Sequence, residues 1–158
     1  MRLWHKDLIP VLPRQQLFSQ WRECCCIASN IVVKGTPNHI LVNKVLDYSS
    51  IDFIRYCEEI VGEMHSRGYT VSIGAQSTLI NNIEKVKERF NNSVQNDSTT
   101  APRACDIYNE WHNDRYFLQC YFNLQEKHDC GGISEEEWNK IYIYTIRHKF
   151  NSIFEFIS

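Results

Sequence analysis

Several features that define large protein classes are missing from this sequence. No apolar run approaches the roughly 18 residues that a transmembrane helix requires. Residues 1–16, MRLWHKDLIPVLPRQQ, also lack the long apolar core of a signal peptide. We therefore expect an intracellular protein without a membrane partner.

Cysteine occurs seven times, yet never in the C-x-x-C spacing. That spacing is typical of zinc ribbons and dithiol redox sites, so its absence removes the main support for both. His128 and Cys130 are too isolated to indicate a metal site. Reduced thiols packed inside an intracellular protein are the expected state. The sequence thus predicts no metal.

Positive charge is scarce overall but concentrated at the start of the chain. A net charge of -2 is unusual for a nucleic-acid-binding protein, because neutralisation of phosphates dominates such binding. Residues 1–34, however, carry five basic side chains against two acidic ones. A positive patch on a mildly acidic body is compatible with a polyanionic partner.

The spacing of apolar residues predicts an all-α fold, a single compact domain over residues 1–158 with about five helices and an N-terminal extended arm. Pro10–Pro13 should be extended and lead into the first helix. We expect helices near 13–29, 49–68 and 77–91, from 104 or 106 to 128, and after the capping-box pair Ser134 and Glu137. Residues 91–102 should form a mobile loop, and only Tyr69–Ile73 has weak strand character.

The first predicted helix has an apolar stripe and a polar face. The stripe repeats at helical spacing and consists of Leu17, Trp21, Cys24, Cys25 and Ala28. Steps of 100° per residue place Gln15 and Arg22 on the opposite face, with Glu23 at its flank. Arg22 and Glu23 should therefore point away from the core.

A carboxylate close to a free chain terminus can support covalent chemistry. A terminal α-amine has a pKa of about 7.7–8.0, so part of it is nucleophilic near neutral pH. Such an amine can attack the anomeric carbon of a sugar and form an imine. Glu23 would then stabilise the cationic sugar and move protons, while Arg22 held a phosphate. From the residues alone, a solvated helix face remains the other interpretation.

The stretch MRLWHKDLIPVLPRQQLFSQWRE resembles the opening of the pyrimidine-dimer DNA glycosylase family, the phage-type UV endonucleases. Members have an N-terminal arm and then a helix reading approximately Q-H-L-x-A-E-[YW]-R-E, where this chain has QQLFSQWRE at Gln15–Glu23. Two weaker similarities follow: His39 with the later Ser66–Tyr69, and His112 with Asn123–Lys127. The resemblance covers about residues 1–127 and is absent from the last 30.

The resemblance implies a DNA-repair enzyme acting on double-stranded DNA. Members extrude a base opposite the lesion and kink the duplex, cut the N-glycosidic bond of the dimer through an imine, and then break the strand by β-elimination. Glu23 would be the catalytic carboxylate and Arg22 a phosphate ligand, with Gln15 on the same face. The resemblance also implies a monomer without metal or organic cofactor, in the cytoplasm of a bacterial or phage-infected cell and at the nucleoid when bound to DNA.

The start of the chain departs from the family pattern. Members begin Met-Thr-Arg and lose the methionine, so that the threonine amine reacts, whereas this chain has the bulky Arg2. The free amine would then belong to Met1. Either Met1 reacts and Arg2 becomes a phosphate clamp, or the imine chemistry is altered or lost. Cys26 also replaces the third basic residue of the family's phosphate-binding face.

The other candidate DNA contacts are single side chains. His5 on the arm could reach a phosphate or assist proton transfer, and His112 with Arg115 could touch DNA from a helix surface. Arg14 and His39 complete the set. A structural role is the alternative for the histidines.

Three functions fit these residues. The leading hypothesis is a glycosylase with abasic-site lyase activity on pyrimidine dimers or another damaged base. The second is a non-catalytic DNA-binding or interaction module on the same helical scaffold. The third is an enzyme acting on a different, modified nucleobase.

Overall fold

A computed structural model of the chain describes residues 2–91 and 107–150. These two ranges contain five α-helices and no strand: α1 Arg14–Lys34, α2 Ser50–Ser66, α3 Ile73–Lys85, α4 Asp114–Asp129 and α5 Glu135–Thr145. The predicted all-α fold of about five helices is confirmed. Residues 92–102 of the predicted mobile loop lie outside the described residues.

Shorter helical turns connect these elements. Three are 3₁₀ helices, at Lys6–Val11, Asn43–Asp47 and Lys87–Arg89. A π-helical turn, Ile146–Phe150, follows α5. Over the ranges that the structure describes, no helix is both long and apolar enough to cross a membrane.

Helix starts are set by short polar side chains. The predicted capping box before α5 is confirmed, with Ser134 and Glu137 each accepting from the other's backbone N–H. α2 has the same arrangement at Ser49 and Asp52. Each box satisfies two amide donors that a helix start leaves unpaired.

The first helix is longer than predicted. It continues past residue 29 to Lys34, and Ile31 extends the buried stripe by one more turn. Gly35 then ends the helix with a left-handed backbone at φ 76°, a conformation that glycine adopts without steric penalty.

Two other helix starts were misplaced. α3 begins at Ile73 rather than near 77 because Ser72 caps it, so the weak strand character at residues 69–73 is not realised. α4 begins at Asp114 rather than at 104 or 106, since the Asn113 side chain accepts from the N–H of Tyr116. Residues 107–112 instead form turns.

The N-terminal arm is part of the core. Leu3, Leu8 and Leu12 are fully or almost fully buried. The expected extended stretch Pro10–Pro13 is only partly present. Leu12 and Pro13 are extended, with ψ angles of 131° and 150°, whereas Pro10 lies inside the 3₁₀ helix Lys6–Val11. The fixed φ of proline is compatible with such a turn.

Arg67, directly after α2, fastens this turn to the fold. The Arg67 guanidinium donates to the carbonyls of Ile9, Pro10 and Leu12, with N···O distances of 3.3, 2.9 and 2.7 Å. Its Nε also pairs with Glu63 at 2.6 Å. The carbonyls at the end of the 3₁₀ helix thus have a charged hydrogen-bond donor. This segment of the chain leads directly into α1.

Candidate active site

The start of the chain lies against the Glu23 carboxylate. The backbone nitrogen of Arg2 donates to Oε2 of Glu23 at 3.2 Å. Glu23 is half-buried on α1 and borders a hollow of about 440 Å³. Gln15 and Lys127 line the same hollow, which we call the Glu23 hollow. A carboxylate, an amide and an ammonium group therefore surround one space beside the chain's first residues.

Side chains from three helices hold the arm in this position. Gln20 of α1 is fully buried and accepts from the backbone nitrogen of Trp4 at 3.0 Å. Tyr56 of α2 donates to the Trp4 carbonyl at 2.8 Å, and Tyr116 of α4 donates to the Leu3 carbonyl. Gln20 was not among the residues predicted for the site. Its position on α1, between the apolar stripe and the polar face, was the one signal in the sequence.

Met1, the predicted nucleophile, lies outside the described residues. The structure does fix the nitrogen of residue 2. Its hydrogen bond to Oε2 places the backbone of Arg2 beside the Glu23 carboxylate.

The polar face of α1 is arranged as predicted. Gln15, Arg22 and Cys26 are exposed, whereas Leu17 and Cys24 are buried. The Arg22 guanidinium donates to the Ser19 hydroxyl at 3.3 Å, one turn earlier. Arg22 is therefore next to Glu23 along the helix and accessible to a ligand.

The buried cysteines are suited to packing. Burial raises the pKa of Cys25 to about 11 and also raises that of Cys57. Thiols with raised pKa values are poor nucleophiles. In residues 2–91 and 107–150, no group of three or more His, Cys, Asp or Glu is placed to hold a metal ion.

Arg2 and Arg115 border a second, larger depression. Its volume is about 860 Å³, and Lys44 lies on the same rim. We call it the Arg2 groove. Arg2 thus connects the two: its backbone nitrogen contacts Glu23, and the residue lines the groove.

Arg14 and His39 do not line the Glu23 hollow. The Arg14 guanidinium is over the rings of Phe18 and Tyr69, 5.5 and 5.4 Å from their centroids. His39 Nδ1 accepts from the N–H of Leu41 at 3.3 Å, within a turn. Arg14 remains exposed and His39 half-exposed.

His5 and His112 are buried. Their exposed fractions are 1% and 4%, and the two rings stack with centroids 5.0 Å apart. The expectation of His112 on a helix surface is wrong, since it lies in the turns before α4. Nδ1 of His112 accepts from the Lys6 N–H, and Nδ1 of His5 accepts from the Asp7 N–H. Neither imidazole can reach a phosphate in this conformation.

Burial also keeps both imidazoles neutral. It lowers the pKa of His112 to about 2, and nearby positive charge acts in the same direction. Burial lowers the pKa of His5 as well, although Asp7 opposes it. The pair is consistent with a structural role.

The fold and this site define an all-α protein whose first residues are docked, backbone first, against a carboxylate of the first long helix. The family model described as pyrimidine dimer DNA glycosylase matches residues 1–77. That range contains the arm, α1, α2, and the beginning of α3. Residues 1–77 are thus similar to the pyrimidine dimer DNA glycosylase family, a family of DNA-repair proteins that bind DNA.

The matched range includes Arg2, Arg22 and Glu23, but not the weaker similarities at His112 and Asn123–Lys127. No significant match was found among curated proteins or among solved structures.

Proposed function

We propose that this protein is a DNA glycosylase that removes a damaged base from duplex DNA through an imine formed by its N-terminal α-amine. The observation that carries the proposal is the 3.2 Å contact between the residue 2 nitrogen and Oε2 of Glu23. It supports a placement of the chain start beside the one carboxylate that the family pattern assigns to catalysis.

The reaction follows from these groups. The neutral amine attacks C1′ of the deoxyribose while the glycosidic bond breaks, and the base leaves with the bonding electron pair and takes up a proton. Loss of a proton from the amine and opening of the sugar ring give the imine. Glu23 stabilises the positive charge that develops on the sugar and accepts and returns protons. Removal of a C2′ proton then expels the 3′ phosphate, which gives the lyase activity.

Two forms of the chain start fit this scheme. If Met1 is retained, its α-amine reacts and the Arg2 N–H remains an amide that orients the Glu23 carboxylate. If Met1 is removed, the Arg2 nitrogen itself is the amine. Intact mass spectrometry distinguishes the two forms, because one methionine is either present or absent.

Accessible cations on either side of Glu23 suit a DNA ligand. Arg22 is exposed on the same helix, Lys127 lines the Glu23 hollow, and Arg2 reaches the neighbouring groove. Guanidinium groups pair well with phosphates because their donors form a planar fork. We propose that Arg2 and Arg22 hold phosphates flanking the lesion, while Gln15 lines the hollow that receives the sugar. A monomer binding double-stranded DNA is sufficient for this arrangement.

A time course of base release and strand cleavage on a duplex with one cyclobutane pyrimidine dimer tests the proposal. Loss of a catalytic acid–base group costs about 10²–10⁴-fold in rate, so Glu23→Gln should be at least about 100-fold slower. Glu84→Gln is the matched control, because Glu84 is exposed on α3 and should react like wild type. Equal inactivity of wild type and Glu23→Gln on dimer-containing and abasic duplexes would contradict the proposal.

The departure at Arg2 favours a second candidate, a DNA-binding module without catalysis. If Met1 is retained, the nitrogen beside Glu23 is an amide and not a nucleophile. This alternative predicts salt-sensitive duplex binding that Glu23→Gln leaves unchanged, with no product accumulating over time. Product formation, rather than a mobility shift, separates the two functions.

A further inference from the structure

The Arg2 groove is bounded by an unusual apolar turn. Ile40 is 87% exposed, Leu41 is 54% exposed, and Phe122 across the groove is 58% exposed. Single exposed apolar residues are common on protein surfaces. Ile40 and Leu41 are adjacent, and Phe122 lines the same depression. Together these exposed apolar side chains form a patch, and patches of this kind mark contact surfaces.

The turn that presents Ile40 and Leu41 is held rigidly. The His39 carbonyl accepts from the N–H groups of Val42 and Asn43, both at 2.9 Å. The Asn43 side chain accepts from the His39 N–H, and His39 Nδ1 accepts from the Leu41 N–H. Val42 anchors the turn because it is fully buried. The two aliphatic side chains are therefore preorganised in solvent.

The charge around this patch favours a nucleic acid over a protein as its partner. The groove is lined by three cations, Arg2, Lys44 and Arg115, and by one carboxylate, Glu126. Within residues 2–91 and 107–150, none of the three cations forms an ion pair. Lys44 lies instead over the Trp111 ring, with Nζ 5.8 Å from its centroid.

The patch also lies next to the proposed active site, since Arg2 lines the groove and its backbone nitrogen contacts Glu23, which lines the hollow. DNA-bending proteins insert Ile, Leu or Phe side chains between base steps while flanking cations hold the phosphates. We propose that Ile40 and Leu41 form an apolar wedge that enters the base stack of the bound duplex and bends it, with Lys44 and Arg115 on the adjacent phosphates. This inference rests on the proposed function, which supplies DNA as the ligand.

The test uses a duplex with a tetrahydrofuran abasic analogue and a neighbouring 2-aminopurine. This analogue has no glycosidic base and cannot form an imine, so binding and distortion are measured apart from the chemistry. Wild type should increase 2-aminopurine fluorescence on binding because the base unstacks. Ile40→Ala/Leu41→Ala should bind at least about tenfold more weakly and give no increase at saturation, since the variant loses the contacts that offset the cost of unstacking.

Two further variants separate the wedge from other effects. Ile73→Ala removes an isoleucine that is 81% exposed but does not line the groove, and should behave as wild type. Lys44→Gln should retain the fluorescence increase. The slope of log affinity against log salt concentration should become shallower by about 1, the value for one lost phosphate contact. Ile40, Leu41 and Ile73 are all exposed, so their alanine variants should fold, as circular dichroism can verify.

An undiminished fluorescence increase in Ile40→Ala/Leu41→Ala would overturn the wedge. The wedge would also be overturned if this variant differed from wild type only in its self-association, measured by sedimentation. The patch would then be an interface between protein chains. Borohydride trapping of the wild type on single-stranded abasic DNA measures the proposed chemistry separately, because a single strand needs no bending. If wild type traps no abasic DNA but still unstacks the analogue duplex in an Ile40- and Leu41-dependent manner, the proposed catalysis fails while the wedge stands.

Discussion

Acidification should destabilise the fold through the stacked His5–His112 pair. Both imidazoles are buried beneath the arm, and burial lowers both pKa values below the ordinary 6.5. Below pH 6.5 the unfolded chain takes up protons that the folded protein does not bind. The unfolded state is therefore favoured as the pH falls. Above pH 6.5 these groups contribute no pH dependence.

The magnitude follows from the shift at His112. Its folded pKa of about 2 places the whole interval between pH 6.5 and pH 2 inside the window in which stability declines. One such group contributes about 1.4 kcal/mol per pH unit, hence about 2 kcal/mol between pH 8 and pH 5. His5 adds to this loss, although Asp7 opposes its shift. His128 acts in the opposite direction, because its hydrogen bond with Glu135 raises its pKa.

Urea unfolding at pH 8, 6.5 and 5 and constant ionic strength measures the effect. The unfolding free energy should be only slightly lower at pH 6.5 than at pH 8. At pH 5 it should be lower than at pH 8 by about 2 kcal/mol or more. His112→Gln should reduce the pH dependence because it removes one titrating group, while His65→Gln, at an exposed position, should not. An unfolding free energy that is flat from pH 8 to pH 5, or imidazolium NMR signals from His112 in the folded protein at pH 5, would refute the reasoning.

Two further substitutions test how the arm is positioned. Arg67→Ala removes four hydrogen bonds made by a largely buried guanidinium. It should lower the unfolding free energy, measured by chemical denaturation, by about 2–4 kcal/mol. Arg67→Lys should recover only part of this loss, because an ammonium group lacks the planar fork of donors. Arg2→Ser gives a small second residue that permits removal of Met1 and should place a free amine 3.2 Å from Glu23. Intact mass should then show loss of one methionine, and peptide mapping after borohydride trapping on abasic DNA should locate the adduct at the amine of residue 2. An adduct elsewhere would contradict the placement.

Local signals in the sequence were enough to predict that five helices form and to place one face of the site, although not every helix boundary. Apolar spacing located α1, and steps of 100° correctly placed Arg22 away from the buried Leu17 and Cys24. The capping box at Ser134 and Glu137 predicted the start of α5. These features depend on contacts within one helix, which residue order alone specifies.

Contacts between distant segments were not predictable in the same way. His112 was expected on a surface, yet it stacks on His5, more than a hundred residues earlier. Gln20 is fully buried because it accepts from Trp4 on the arm. A polar side chain next to an apolar stripe gives no sign of such a partner until the arm's path is known. The resemblance supplied the importance of Glu23, but the geometry of the chain start required the structure.

Borohydride trapping on abasic duplex DNA, followed by peptide mass mapping of the adduct, tests the central claim most directly. The docked chain start predicts that the adduct lies on the N-terminal peptide, at Met1 or, after its removal, at Arg2. Glu23→Gln should slow its formation. An adduct at Lys127, the amine that lines the same hollow, or no adduct at all, would contradict the claim.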